Sequence, residues 1–336
     1  DPVRMNKIRL SILFTKQFTY FLGRAPDPHR ALIRFETIIQ DIFKLSESSK
    51  QADILSDPKI LKELARLLGT SDFLWEDFLR LQYESILPML HEDNRKILFS
   101  HTREENRKTL RELLSKTSTP EEAKQKLNEF KDREIYLIDL DHILNPEIDF
   151  LRLSEKLTSL AELVVNTAAE LSWDQYTAQY GEPQTVAGLP ATYAILGLGK
   201  LGGAALGYAS DIELMFVYSD NGRTSGEDSV TNAEFFERMI KDAVNLIEAK
   251  RQGIFKVDLR LRPYGAAGPL ACSIETFCKY YSTQGQAHSF ELLSLVRMRA
   301  IGGNRELGAR IERLRDEVVY ATESINLKEL RKLREK

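Results

Sequence analysis

The stretch "ILGLGKLGGAALGYASDIELMFVYSD", Ile195–Asp220, limits the fold more than any other part of the chain. Apolar, β-branched and aromatic runs stand on either side of a glycine-rich turn, and each run predicts a short strand. Only eleven residues separate Gly199 from Asp211. A parallel crossover takes a dozen or more residues, usually a helix of several turns. Gly202, Gly203 and Gly207 would lie inside that helix, where each glycine costs about 1 kcal/mol. The link is therefore expected to be a glycine turn with a short helical piece, and the sheet to be small and mixed. Gly197-x-Gly199-x-x-Gly202 has the spacing of a dinucleotide fingerprint, and Asp220 stands near the place for a ribose contact. The short link argues against that reading.

The same stretch carries two carboxylates. Side chains alternate across a strand, so Asp211 and Glu213 share one face while Ile212, Leu214, Phe216 and Tyr218 line the other. In "FKVDLRLRP" the same rule assigns Phe255, Val257, Leu259 and Leu261 to the core. Lys256, Asp258, Arg260 and Arg262 then share the open side. If the two strands are neighbours, three carboxylates converge with two arginines beside them. Three such charges repel unless cations neutralise them. Magnesium suits the site, since it takes hard oxygen ligands and few of them from protein. Two ions held this way clamp the attacking and leaving oxygens of an in-line displacement. A Gly202-Gly203 turn lets backbone N–H groups approach a triphosphate. The rival reading of alternating charge is a solvated strand face with surface ion pairs, each worth at most about 1 kcal/mol. No G-x-x-x-x-G-K-[ST], H-E-x-x-H, C-x-x-C or G-x-S-x-G occurs. His288, three before Glu291, reads as a structural residue at a helix start.

With 336 residues the chain is long enough for two domains, or for one with a large helical extension. A net charge of -3 gives no global basic field, so no nucleic-acid partner is indicated. No apolar run nears the roughly 20 residues that span a bilayer, so no membrane role is expected. Cys272 and Cys278 lack His or Cys partners at metal-ligand spacing and read as reduced thiols of a cytoplasmic protein. The chain opens on Asp1 and stops within the helical pattern "LKELRKLREK", so a piece of a longer protein is expected.

Ahead of the glycine turn the pattern is helical. "PHRALIRFETIIQDIFKL" spaces Leu32, Phe35, Ile38, Ile39, Ile42 and Phe43 for a helix. "DPKILKELARLLGTSDFLWEDFLRL" reads as two short helices, the first closed by Gly69 and the second capped by Ser71 or Asp72. "TPEEAKQKLNEFKDREIYLIDLDHIL" starts on Thr-Pro with an acidic first turn. A long amphipathic helix runs from "DFLRL" to Gly181, and "EPQTVAGLPA" reads as a linker. Beyond it, Asn221–Asn232 is a polar loop, and "AEFFERMIKDAVNLIEAK", "SIETFCKYYSTQ", "SFELLSLVRMRAIGG" and "ELGARIERLRDEVVY" are helices.

"GLGKLGGAALGYASDIELMFVY", "VDLRLRPYGAAGPL" and "FELLSLVRMR" together are similar to the signature of the glutamine synthetase adenylyltransferase/adenylyl-removing enzymes. These belong to the DNA polymerase β-type nucleotidyltransferases. That superfamily's pattern is a small-residue pair in a turn, an acid-x-acid strand and a third acid strand, here Gly202-Gly203, Asp211-x-Glu213 and Asp258. The resemblance implies an α+β chain with residues 1–185 as a helical region and 186–302 as the catalytic domain. Residues 303–336 would then be C-terminal helices opening a truncated helical domain.

The resemblance also implies the chemistry. One half of such an enzyme attaches AMP from ATP to a tyrosine of glutamine synthetase, and the other removes it by phosphorolysis as ADP. "NAEFFERM" and "GPLACSIETFCKYYSTQGQ" look more like the removing half, and "LGYASD" a little more like the transferase half. Asp211, Glu213 and Asp258 would hold two Mg²⁺ ions, with Ser210 nearby. Gly202 and Gly203 would offer backbone donors, and Lys200, Arg260 and Arg262 would clamp phosphate. Glutamine synthetase is the implied protein substrate and a PII-type signal protein a further partner that the resemblance suggests, while effector regulation by such a protein or by glutamine is left open. Two departures from the family pattern stand out: Glu213 where Asp is usual, and Phe290-Glu291 where Trp-Glu is usual. They leave open a degenerate nucleotide-binding homologue with a regulatory role.

Overall fold

The computed structural model describes residues 15–44, 57–70, 101–145, 149–208, 210–250, 254–282 and 284–320, with Ile8, Ile12, Trp75 and Glu147 besides. In chain order the helices are α1 (Pro28–Lys44), α2 (Pro58–Leu68), α3 (Arg103–Leu114), α4 (Pro120–Leu144) and α5 (Phe150–Tyr180). They continue with α6 (Gly199–Gly202), α7 (Asn232–Leu246), α8 (Ile274–Tyr281), α9 (Ser289–Leu295) and α10 (Arg305–Val319). The strands are β1 (Pro183–Thr185), β2 (Tyr193–Gly197), β3 (Ile212–Tyr218), β4 (Gly222–Thr224), β5 (Val257–Asp258), β6 (Ala271–Ser273) and β7 (Arg299–Gly303). The chain is α+β: a long helical region precedes a small mixed sheet, and helices follow it.

Two compact units divide the chain. The first takes Asp1–Asn106 and Arg133–Phe150. Its core joins Phe18, Phe35, Ile38, Leu61, Leu64, Leu68, Tyr136 and Leu140. The Asp57 carboxylate accepts from Lys59 N at 2.8 Å and so starts α2. Gly69 closes it, as the sequence predicts. The buried Arg34 donates to the Leu68 carbonyl at 2.6 Å, satisfying one of the acceptors that a helix end leaves open. The expected second helix, with its cap at Ser71 or Asp72, lies outside the described residues.

The second unit takes Arg107–Asp132 and Leu151–Lys336. It does not follow a cut at residue 185, because α5 is bonded to the sheet. Asn166 Nδ2 donates to Ile301 O at 2.8 Å, and Arg299 pairs with the buried Glu162 at 2.6 Å. The helix ends at Gly181, whose φ of 76° suits glycine. The segment expected as a linker instead supplies β1, which pairs antiparallel with β4 from the expected polar loop. Two strands of three residues each, Pro-Gln-Thr and Gly-Arg-Thr, are too short to carry visible alternation, so neither shows in the sequence.

The main sheet has five strands in the order β5-β3-β2-β7, with β6 also on β3. β2 and β3 run antiparallel, as the short link requires, so the glycine turn between them does not open a parallel βαβ unit of the kind that holds a dinucleotide. Both faces of β3 are buried. Tyr218 stacks on Phe236 of α7 at 4.8 Å. On the other face Met215 and Val217 join Phe277, Tyr281, Leu295, Leu307 and Ile311. The run "SFELLSLVRMRAIGG" is not one helix: α9 stops at Leu295 and the chain enters β7, where Gly303 takes φ 72° beside Ala194 of β2. Cys272 is buried, and both cysteines are free thiols.

Candidate active site

The corner is built by glycines at close approach. β2 ends at Gly197, Leu198 N donates to Glu213 O at 2.9 Å, and α6 begins at once. Gly199 has φ 50°, and a Cβ there would fall on the Glu213 carboxylate. A Cβ on Gly202 would overlap the carbonyl oxygens of Arg297 and Gly197. The glycine spacing is thus steric: one position seats an acid and another seats a neighbouring backbone. Gly202 N and Gly203 N donate to Leu198 O at 2.8 Å and Gly199 O at 3.2 Å. These two donors, expected to face phosphate, are used inside the turn. The N–H groups that such a helix start leaves without intrahelical acceptors are those of Gly199, Lys200 and Leu201.

The two acid strands are neighbours. β3 and β5 pair in parallel with Ile212 opposite Val257 and Glu213 opposite Asp258. Asp211, one residue ahead of β3, keeps a buried carboxylate oxygen, Oδ1, without a hydrogen-bond partner. Asp258 is engaged: Arg260 donates from Nη2 at 2.6 Å, from Nε at 2.9 and 3.0 Å, and from its backbone N at 2.9 Å. Those bonds hold the Asp258 carboxyl below the usual range. They also raise the Arg260 pKa, and the charges of Asp211 and Glu213 act on it in the same direction. One exposed guanidinium therefore feels all three acids. Among the described residues no three His, Cys, Asp or Glu side chains form a ready metal cage. The donor set is nevertheless the hard-oxygen kind that magnesium takes, with an unpaired oxygen on Asp211.

Arg262 departs from expectation. The backbone bond from Arg260 N to the Asp258 side chain is an Asx-type turn, which takes the chain out of the strand after two residues. Alternation fails before the strand too, since Phe255 sits at φ 57°. Arg262 is consequently buried, not on the open side. Its guanidinium donates to the carbonyls of Leu259 (2.8 Å), Pro269 (2.8 Å) and Gly268 (2.9 and 3.1 Å). It is a strut for the following loop and is not free to clamp phosphate. Ser210 is buried, and its hydroxyl accepts from Gly207 N at 3.0 Å, bracing the approach to Asp211. Lys200 is exposed on α6.

One residue here escaped the sequence reading, while the pair His288 and Glu291 starts a helix as expected. Arg299 donates to the carbonyls of Gly202 (3.1 Å) and Leu201 (3.3 Å) while paired to Glu162. It thereby closes the end of the glycine turn, as basic side chains do at helix C-termini. It was hidden because its segment reads as helix. Glu291 accepts from Tyr280 OH at 2.8 Å and from His288 N at 2.8 Å. The latter bond is half of a capping box, so this pair starts a helix.

A mixed sheet in which an acid-x-acid strand leaves a glycine turn and faces a third acid has the form implied for a nucleotidyltransferase-type domain. The chain belongs to the glutamate-ammonia ligase adenylyltransferase family, whose model matches residues 61–314. It is similar to the bifunctional glutamine synthetase adenylyltransferase/adenylyl-removing enzyme of Shewanella oneidensis, 34% identical over 250 residues, which are 72% of this chain and 25% of that protein. The enzyme of the same name from Methylococcus capsulatus is 34% identical over 199 residues, 58% of this chain and 20% of the relative. That of Thioalkalivibrio sulfidiphilus is 38% identical over 159 residues, 47% and 16%. The matches thus span between 16% and 25% of these relatives' lengths.

Proposed function

We propose that this chain is a Mg²⁺-dependent nucleotidyl-transfer half that removes AMP from an adenylylated tyrosine of glutamine synthetase by phosphorolysis, releasing ADP. The observation that carries the reading is the in-register pairing of Glu213 with Asp258 beside the unpaired oxygen of Asp211. In this reading Asp211 and Glu213 hold the metal, and Asp258 completes the ligand set once Arg260 releases it. When bound, the ions supply charge neutralisation at the phosphate oxygens. Asp258 lies toward the attacking phosphate, and the freed Arg260 pairs with phosphate oxygens in the two-pronged way that suits a guanidinium. The bond from the AMP phosphorus to the tyrosine oxygen breaks, a bond to a phosphate oxygen forms, and the proton that the attacking hydrogen phosphate gives up is taken by the tyrosine oxygen. The reverse use, adenylylation from ATP, rests on "LGYASD" and on the relatives' double name. A PII-type signal protein is a proposed effector, and the cytoplasm is the proposed setting. Among the described residues no helix is long and apolar enough to cross a membrane.

The test is ADP release from adenylylated glutamine synthetase with phosphate and Mg²⁺, wild type against Asp211→Asn. Losing a group that neutralises transition-state charge costs on the order of 10²–10³ in turnover, and the variant is expected to lose at least that. AMP incorporation from ATP into the unmodified substrate, without release, would reverse the direction. Silence in both assays would leave the regulatory homologue as the reading.

A further inference from the structure

Phe255 is a bulky residue at φ 57°, a left-handed conformation that such side chains adopt at a cost. Its position explains why it matters. Phe255 N donates to Ser210 O at 3.1 Å, and Ile212 N donates to Lys256 O at 2.8 Å. These two bonds straddle Asp211 and set the register in which Glu213 faces Asp258. A strained backbone persists only where its surroundings over-determine it. Here Phe255 is 5% exposed, and the Lys131 ammonium stands 5.6 Å from its ring centroid.

Lys131 lies in the first half of α4 and its side chain is 0% exposed. Its Nζ donates to Glu248 O and stands 3.3 Å from Asp132 Oδ1. One turn earlier Asn128 donates to Leu246 O at 2.8 Å and accepts from Glu248 N at 2.9 Å. The helix thus grips the chain where it leaves α7 on its way to Phe255. Lysines are almost never fully buried unless paired. Burial pushes the Lys131 pKa down, although Asp132 and Glu248 act to raise it. A helix that only needed an apolar contact here would carry methionine or leucine at no such cost. We infer that Lys131 is a positioning residue for the candidate active site, holding the Phe255 turn so that Asp258 stays in register with Glu213. The inference rests on the proposed reading of those acids for its functional meaning, and on geometry alone for the positioning.

Hydrogen exchange on the full chain tests it directly. In Lys131→Met, amides across 210–213 and 255–258 are expected to exchange about tenfold faster while those of 193–197 keep their rates, the pattern of a local opening. Lys131→Arg, which keeps the charge and the donors, is expected to restore slow exchange. Phe255→Leu, which keeps apolar bulk and loses the ring face, is expected to repeat the Lys131→Met pattern, and it serves if Lys131→Met fails to fold. Unchanged exchange, or a uniform rise across the unit, overturns the inference, since either outcome makes Lys131 ordinary core support. Mn²⁺ binding, read by its EPR signal, is the second readout and is expected to weaken about tenfold in Lys131→Met. Should the wild type bind no Mn²⁺, the metal reading of the acids fails by itself, and the exchange data still decide whether Lys131 positions the strand.

Discussion

The glycine turn at Gly197–Gly203 and the arginine segment at Asp258–Pro269 meet at the same corner and are held by opposite means. In the turn, missing side chains let backbone and carboxylate come close: Gly199 makes room for Glu213 and Gly202 for Arg297 O. In the segment, one added side chain does the work, with Arg262 drawing in the carbonyls of Leu259, Gly268 and Pro269. Where the approaching group is backbone, as at Gly202, the first kind of support leaves no room for a Cβ. The second depends on a rigid, many-pronged donor. The lesson is that similar motif residues within one region divide between structure and chemistry, and the division follows packing.

The largest expected effect falls inside the glycine turn. Gly202→Ala places a methyl against two backbone carbonyls, which cannot rotate away. Overpacking of that kind costs about 3 kcal/mol. Gly203 is exposed, and its added Cβ would meet the flexible Arg297 side chain at 3.3 Å. Its φ is -78°, which any residue adopts. Gly203→Ala is therefore expected to cost under about 1 kcal/mol. Urea unfolding of the two variants measures the gap. Equal losses would mean that the turn tolerates or rejects side chains as a whole, and the steric account would fall.

The second effect tests the other side of the comparison. Arg262→Met removes the buried donor from three partly buried carbonyls and is expected to cost about 2–3 kcal/mol. Arg262→Lys is expected to recover little of it, since an ammonium cannot reproduce the planar fork. Full recovery by lysine in urea unfolding would show that charge, not geometry, holds the loop.

How far these roles were legible in the sequence follows from the same distinction. The short link between Gly199 and Asp211 excluded a parallel crossover, and the antiparallel β2–β3 pair is what it requires. The alternation of Ile212, Leu214, Phe216 and Tyr218 marked a buried face. Met215 and Val217 are buried as well, because α8 and α10 cover the second face, and no single strand records that. The pattern in "FKVDLRLRP" overstated the strand. Alternation presumes extended backbone, and a left-handed Phe255 and the Asx-type turn at Asp258 end it on both sides. That is why Arg260 and Arg262, two residues apart and alike in sequence, are 76% exposed at the side chain in one case and buried in the other. Lys131 and Glu162 could not be read at all. Each acts on residues more than a hundred positions away, and nothing in a helical repeat marks a charged residue as inward-facing.

The smallest effect concerns the exposed arginine and sharpens the contrast with Arg262. Arg260 contributes to stability chiefly through Asp258, whose folded pKa it depresses. An unfolded Asp titrates at about 3.9. A depressed folded pKa gives stability that is fully present above the unfolded value and is lost as pH falls through the folded one. The urea midpoints of wild type and Arg260→Gln should therefore differ by a small, constant amount from neutral pH down to about pH 5. That difference should begin to narrow below about pH 4, where the unfolded Asp takes its proton, and close only once the pH has fallen through the depressed folded pKa of Asp258. The Arg260 side chain is 76% exposed and that of Asp258 13%, so solvent screens the pair. Added salt should then narrow the gap at neutral pH. For Arg262→Met the loss should persist through the acid range, because its acceptors are carbonyls that do not titrate. A gap for Arg260→Gln that does not narrow at all as the pH falls below about 4 would mean that Arg260, too, is a strut, and the division of labour between the two arginines would have to be redrawn.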